Sequence, residues 1–244
     1  MIFRPFLDFE HGCAAYLFGC GGKGFCVVVD ARESEVLQYE AFAASKGMRI
    51  THVIDTHVHA DHRSGGPALA ELVGAHYCLH RDADVRRQFT PLDDGQEIEL
   101  GNTRVRVLHT PGHTPESISL VVTDLRRGPD PWFVITGDTL FAGAVGRPDL
   151  PGEARENAAR LHASLHEKLL TLPDDLEIYP AHFAGSACGV GLSGKPSSTI
   201  GFEKRFNTLL SVGREEFVDA TCVVGAKPRG SEAMIEFNRG HPPA

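Results

Sequence analysis

Two apolar runs, residues 13–19 (CAAYLFG) and 24–30 (GFCVVVD), stand either side of a glycine-rich turn. Their β-branched and aromatic content, with a turn between, predicts a hairpin. Residues 34–46 (SEVLQYEAFAASK) place apolar positions near helical spacing, with Ser34 as N-cap and Gly47 as the stop. A strand-like run follows at 49–56 (RITHVIDT), then a polar loop rich in His and Asp, a helix over 66–74 (GPALAELVG) and a short strand over 76–79. From 96 to 136 the pattern is mostly β: the runs 97–100, 103–110, 117–123 and 132–136 are separated by Gly, Pro and Asp turns. Residues 152–172 read as a long amphipathic helix ended by Pro173, 176–181 as the last strand, 185–198 as a loop and 202–212 as a helix.

Strands and helices alternate with hairpins mixed in, which predicts mixed sheets covered by helices and not a βαβ series. The order β-rich, helix, strand, helix occurs twice, over 1–74 and 95–172, and predicts two sandwiched halves. No long linker divides them, so residues 1–244 read as one domain.

The chemistry concentrates after the run 49–56, in Thr56-His57-Val58-His59-Ala60-Asp61-His62: three histidines and a carboxylate in six residues. On an extended segment His57 and His59 point to the same side, and a loop can fold Asp61 and His62 back toward them. Imidazole and carboxylate suit Zn, Fe and Mn alike, so the ligand types leave the metal open. Further ligands are expected at other strand ends. Three residues stand there: His113 in Thr110-Pro111-Gly112-His113-Thr114, Asp138 in Thr136-Gly137-Asp138-Thr139, and His182 in Tyr179-Pro180-Ala181-His182. Strand C-termini are where the sites of α/β proteins gather.

Composition narrows the reading from the other side. Thirteen histidines in 244 residues are about twice an ordinary share, which makes the clustering worth attention. The 24 basic residues against 32 acidic leave a net charge of −8, which argues against nucleic acid or an anionic membrane as partner. No run of about 18 apolar residues occurs, so no membrane span is expected. The first eight residues show no basic segment followed by an apolar one, which predicts no secretory signal. Six cysteines without a CxxC pair read as reduced thiols in the cytoplasm.

Two nucleotide-like patterns fail on context. Gly19–Gly24 matches GxGxxG but leads into a β-run, as a hairpin turn does, and Gly189–Lys195 matches a P-loop until Pro196 replaces the Ser or Thr that would meet Mg²⁺. His162 and His166, four apart on a helix, read as a solvated face, and His11, His52, His76, His80, His109 and His241 as core or surface residues.

HxHxDH, TPGHT, TGDTL and a late PAH, in that order, resemble the metallo-β-lactamase superfamily over about residues 13–210. The resemblance implies an αββα sandwich, two mixed β-sheets flanked by helices, with the site at the edge between the sheets. Gly146-Arg147-Pro148-Asp149-Leu150 is similar to the GRxD element of the persulfide dioxygenases, and residues 180–207 resemble bacterial proteins of that kind, including some fused to rhodanese domains. Phe183 departs from the pattern, standing where an acidic residue often follows PAH in the animal enzymes. The glutathione-recognition segment and the C-terminal helical extension of glyoxalase II find no match.

The persulfide dioxygenase resemblance implies one Fe(II) held by His57, His113 and Asp138, with His59, Asp61, His62 and His182 around it. It implies oxidation of a small thiol persulfide, glutathione persulfide above all, by O2 and water to sulfite and thiol. It also implies coupling to a rhodanese-type sulfurtransferase; a homodimer is the assembly expected. The same seven residues fit two zinc ions bridged by Asp138 in a thioester hydrolase of glyoxalase II type, and a non-catalytic metal-binding module is the third reading. Arg147 is either a surface arginine or a carboxylate-binding fork for the thiol cosubstrate. Cys188 is either a buried inert thiol or a thiol beside the persulfide.

Overall fold

The computed structural model describes residues 1–150, 152–184, 186, 188, 191–222 and 230–240. Two six-stranded mixed sheets pack face to face with helices on the outside. The first comprises β1 (Ile2–Asp8), β2 (Cys13–Cys20), β3 (Phe25–Val29), β4 (Arg49–Ile54), β5 (His76–His80) and β6 (Thr90–Leu92) in sequential order. The second runs β12 (Ser198–Thr199), β11 (Glu177–Pro180), β10 (Phe133–Gly137), β9 (Ile118–Asp124), β8 (Thr103–His109) and β7 (Glu97–Leu100).

The alternation of side chains along β2 shows how the layers form. Ala14, Tyr16 and Phe18 face the second sheet, where they meet Val105, Val107, Leu120, Phe133 and Ile135. Ala15 and Leu17 face outward, where Tyr39 and Ala43 of helix α1 (Val36–Ser45) and Leu69 of α2 (Gly66–Val73) cover them. Both faces are therefore apolar, as a strand buried on both sides requires. The second sheet repeats the arrangement. Its outer face, with Val121, Val134 and Ile178, lies under Leu161 of α3 (Ala154–Ala163), Ile200 of α4 (Ile200–Phe206) and Phe217 of α5 (Arg214–Cys222).

The predicted hairpin is β2–β3, paired antiparallel, with the glycine-rich stretch as its turn. The helix from Ser34 starts differently: a 3₁₀ turn spans Glu33–Glu35 and no side chain caps α1. Glu35 is committed elsewhere, accepting from Arg32 and from the Tyr39 hydroxyl at 2.6 Å. The long helix of 152–172 is α3 continued by a π-turn, Ser164–Lys168, and a 3₁₀ turn, Leu169–Thr171. Periodicity did not reveal β1, β6, β12, α5 or α6 (Ser231–Asn238). The GlyxxxxGlyLys-like stretch falls partly on Gly189 and Val190, and His241 lies at the C-terminus; all three are outside the described residues. Among the described residues no helix is long and apolar enough to cross a membrane.

Strands β3, β4 and β5 are parallel, as are β10 and β11, so their C-terminal ends open on one edge of the sandwich. The two sheets are stitched there. Ala14 N–H donates to Ala181 O at 2.7 Å and the Tyr16 hydroxyl to Pro180 O at 2.7 Å.

Candidate metal centre

The loop that leaves β4 is tied down before its first histidine. Asp30, at the end of β3, holds a positive φ of 53°, a conformation that Asp tolerates better than most residues. Its carboxylate accepts from Thr56 N at 2.7 Å and from the Thr56 hydroxyl at 3.0 Å. Since that hydroxyl gives its proton to Asp30, it must accept from His57 Nδ1, 3.0 Å away. The assignment leaves the His57 Nε2 lone pair facing inward. His113, just beyond β8, reaches the same state by another route: its Nδ1–H donates to the Arg147 carbonyl at 2.8 Å. Asp138, past β10, receives His182 Nδ1 on Oδ1 at 2.6 Å, which turns Oδ2 the other way.

Three atoms then converge. His57 Nε2 lies 3.7 Å and His113 Nε2 3.3 Å from Asp138 Oδ2. All three are buried and none has a hydrogen-bond partner. None is a donor in this tautomer assignment, so three lone pairs face one another inside the protein. That arrangement is repulsive unless a cation sits among them. The residues fit a metal ion. Burial, then the neighbouring His59, lowers the His57 pKa well below the ordinary imidazole value and keeps it in the neutral form that a metal needs.

Beside this trio lies a hydrogen-bonded chain. His182 Nε2 pairs with Asp61 Oδ2 at 2.7 Å, and Asp61 Oδ1 with His62 Nδ1 at 3.1 Å. Burial would lower the His182 pKa, but the carboxylates of Asp138 and Asp61 override it and hold it well above the usual range. Burial likewise opposes a charged His62, and Asp61 overcomes it, raising that pKa to about 10. His59 donates Nε2–H toward Asp30 Oδ1 at 3.2 Å, leaving a buried, unpartnered Nδ1. All seven candidate ligands thus meet at one sheet edge. Cys13, Asp61, His62 and His182 offer ligand atoms that all lie within 4.8 Å of one another, as do Asp138, His182 and Cys188. Burial pushes the Cys188 thiol well up, so it stays protonated.

Sequence reasoning passed over Cys13 and Asp30. The Cys13 thiol donates to Asp61 Oδ2 at 3.3 Å. No local signal marks it, because it stands at the start of an apolar strand. A cleft of about 450 Å³ opens beside Cys13, Asp61 and His62, with Arg32, Arg63 and Ser186 among its other walls. Phe9, on the β1–β2 turn, is 69% exposed and meets Phe183 edge-on with ring centroids 5.2 Å apart.

Arg147 is not the surface arginine of one of the two readings. Its guanidinium is buried and grips Asp149 in a two-pronged pair, Nε to Oδ1 at 2.7 Å and Nη2 to Oδ2 at 2.8 Å. Its carbonyl orients His113. Alanine at this position keeps that carbonyl, so Arg147→Ala is expected to retain near wild-type metal while melting at lower temperature, because Asp149 loses this partner. Adding Asp149→Ala should recover part of the lost stability. An equal rise in KM in the single and double variants, without any change in melting, would return the guanidinium to substrate binding.

The chain belongs to the metallo-beta-lactamase superfamily, whose domain matches residues 9–182. Within it, the human protein named persulfide dioxygenase ETHE1, mitochondrial, is 32% identical over 204 residues, covering 83% of this chain and 73% of that one. The solved structure of ETHE1 from Myxococcus xanthus superposes with a TM-score of 0.85 at 32% identity and covers 98% of both chains. A Polaromonas protein named hydroxyacylglutathione hydrolase is 34% identical over 170 residues, 68% of this chain and 60% of that one.

Proposed function

We propose that this chain is a persulfide dioxygenase, oxidising a small thiol persulfide, foremost glutathione persulfide, with O2 and water to sulfite and free thiol. The proposal assigns one Fe(II) to His57, His113 and Asp138. The observation that carries it is the convergence of their three buried, donorless atoms. Two imidazoles and one carboxylate on one face are the ligand set of non-haem Fe(II) oxygenases. The similarity to proteins named persulfide dioxygenase adds to the reading.

Iron bound there would supply open coordination positions where the terminal persulfide sulfur and O2 can meet. The protein's part is orientation. Thr56 and the Arg147 carbonyl fix the rings of His57 and His113. His182, held as a cation between two carboxylates, turns Asp138 Oδ2 toward them. Asp61, His62 and Cys13 are engaged with this chain and support it. Cys188 is a buried neutral thiol beside Asp138 and His182. The cleft is large enough for a tripeptide thiol, and its walls carry both Arg32 and Arg63 and the carboxylates of Asp8, Glu10 and Glu33. That mixture suits a carrier with carboxylates and an ammonium group. All six cysteines are free, as expected in a reducing compartment such as the cytoplasm. A rhodanese-type sulfurtransferase would supply the persulfide.

The test is metal analysis of protein purified without added metal, joined to O2 uptake with glutathione persulfide. One iron per chain and stoichiometric uptake are expected, with activity lost on chelation and restored by Fe(II). Two zinc ions per chain, with hydrolysis of S-lactoylglutathione and no O2 uptake, would replace this reading with the thioester hydrolase.

A further inference from the structure

We infer that Asn238, the last residue of α6, is a positioning residue for the metal-binding loop. The inference rests on the reading that this loop borders a metal site, not on which reaction follows. Past β4 the Thr56 carbonyl accepts from Ile118 N and the Arg63 carbonyl from Glu33 N, and the buried carbonyls between them need donors as well. Asn238 supplies them. Its Nδ2 donates to His59 O and to His62 O, both at 2.8 Å, and its Oδ1 accepts from Ser64 N at 2.9 Å. The orientation of the amide follows from its partners: two carbonyl oxygens demand N–H, and a backbone N–H demands oxygen. One planar group is thus fully matched to three points of the loop.

Tying the carbonyls of residues 59 and 62 to one nitrogen closes the chain around Asp61 into a tight arc. The arc brings the His59 and His62 rings to 4.3 Å and presents Asp61 to His182. Asn238 can do this because α6 is itself anchored. Arg87 Nη2 donates to Phe237 O at 2.9 Å, Arg86 N donates to Arg239 O at 2.8 Å, and the Arg63 guanidinium lies 4.3 Å from the Phe237 ring centroid. The C-terminal helix, otherwise remote from the catalytic motifs in sequence, acts as the clamp that sets their loop.

Asn238→Asp separates positioning from packing. The carboxylate keeps the shape and the acceptor for Ser64, but turns an oxygen toward two carbonyl oxygens. With cobalt(II) as the probe metal, the variant should bind about 10–100-fold more weakly than wild type, the usual cost of losing an outer partner of a metal site. Its visible absorption spectrum should also change. Asn238→Ser, too short to hold both carbonyls, should show the same direction and serves if the aspartate variant does not fold. Leu100→Ala opens the buried core beside Thr103, at the end of β8 opposite the one that leads to His113; it should lower the melting temperature and leave the cobalt spectrum intact. Wild-type cobalt affinity and spectrum in the Asn238 variants would overturn the inference, as would an equal spectral change in Leu100→Ala. Because the readout is metal geometry, it is separate from failure of the dioxygenase reading, which would show as absent O2 uptake by the wild-type protein.

Discussion

With His57 replaced by alanine, the protein is expected to come through purification with almost no iron and to take up no O2 in the presence of persulfide. With His62 replaced instead, it should keep much of its iron and a reduced but measurable uptake. The contrast follows from what each ring faces. His57 Nε2 is one of three donorless atoms at the metal position, so its loss leaves two ligands for the ion. His62 engages Asp61 through Nδ1 and contributes to the chain that ends on Asp138. Loss of such an outer partner costs about 10–100-fold in affinity or activity, not the metal outright. Metal content and O2 uptake measured on both variants side by side decide between the mechanisms. In a dinuclear hydrolase His62 would be a direct ligand, and His62→Ala would shed one of two ions and nearly all hydrolysis.

Gly146→Ala is expected to be among the most damaging single methyl additions in the chain. A Cβ at this position would stand 1.8 Å from the Asp138 carbonyl oxygen and 3.2 Å from His113 Cβ. The first contact is with backbone, which cannot swing aside as a flexible side chain can. Inserting a methylene-sized group into a packed interior costs about 1–3 kcal/mol, occasionally more. An overlap with main chain belongs at the upper end. For a chain of this size each kcal/mol lowers the melting temperature by about 2–4 °C. The damage should extend to the metal, because any shift that relieves the clash moves Asp138 or the Arg147 carbonyl that holds His113. A thermal melt with metal analysis checks both effects. A variant that melts with the wild type and retains full iron would refute the packing argument.

The glycine of the TPGHT motif is constrained in the same way. Gly112 has a φ of +145°, and a Cβ there would lie 2.4 Å from Leu161 Cα on α3. The motif is therefore partly a packing signature: the glycine lets α3 approach the turn that delivers His113.

What the amino-acid sequence determined was whatever depends on neighbours. The strands flanking the first hairpin, the run into the histidine loop and the strands from Glu97 to Gly137 declared themselves because burial imposes a short period on contiguous residues. The density of candidate ligands over 57–62, and the recurrence of His113, Asp138 and His182 just past strand ends, marked the candidate site for the same reason. The elements that escaped are those whose pattern is diluted. β1 carries Pro5 and is only half-buried along most of its length, while β6 and β12 have three and two residues.

The tertiary structure alone decided which atoms pair. Cys13 reaches Asp61 across 48 residues, Asp30 reaches His59 across 29, and Asn238 reaches His59 across 179. No local period encodes such contacts. Arg147 makes the point at short range: only the tertiary structure buries its guanidinium and pairs it with Asp149. Hydrogen-bond direction is likewise a property of the assembled network. His57 and His113 present lone pairs to Asp138 only because Thr56 and the Arg147 carbonyl, placed by different strands, take up their other nitrogens.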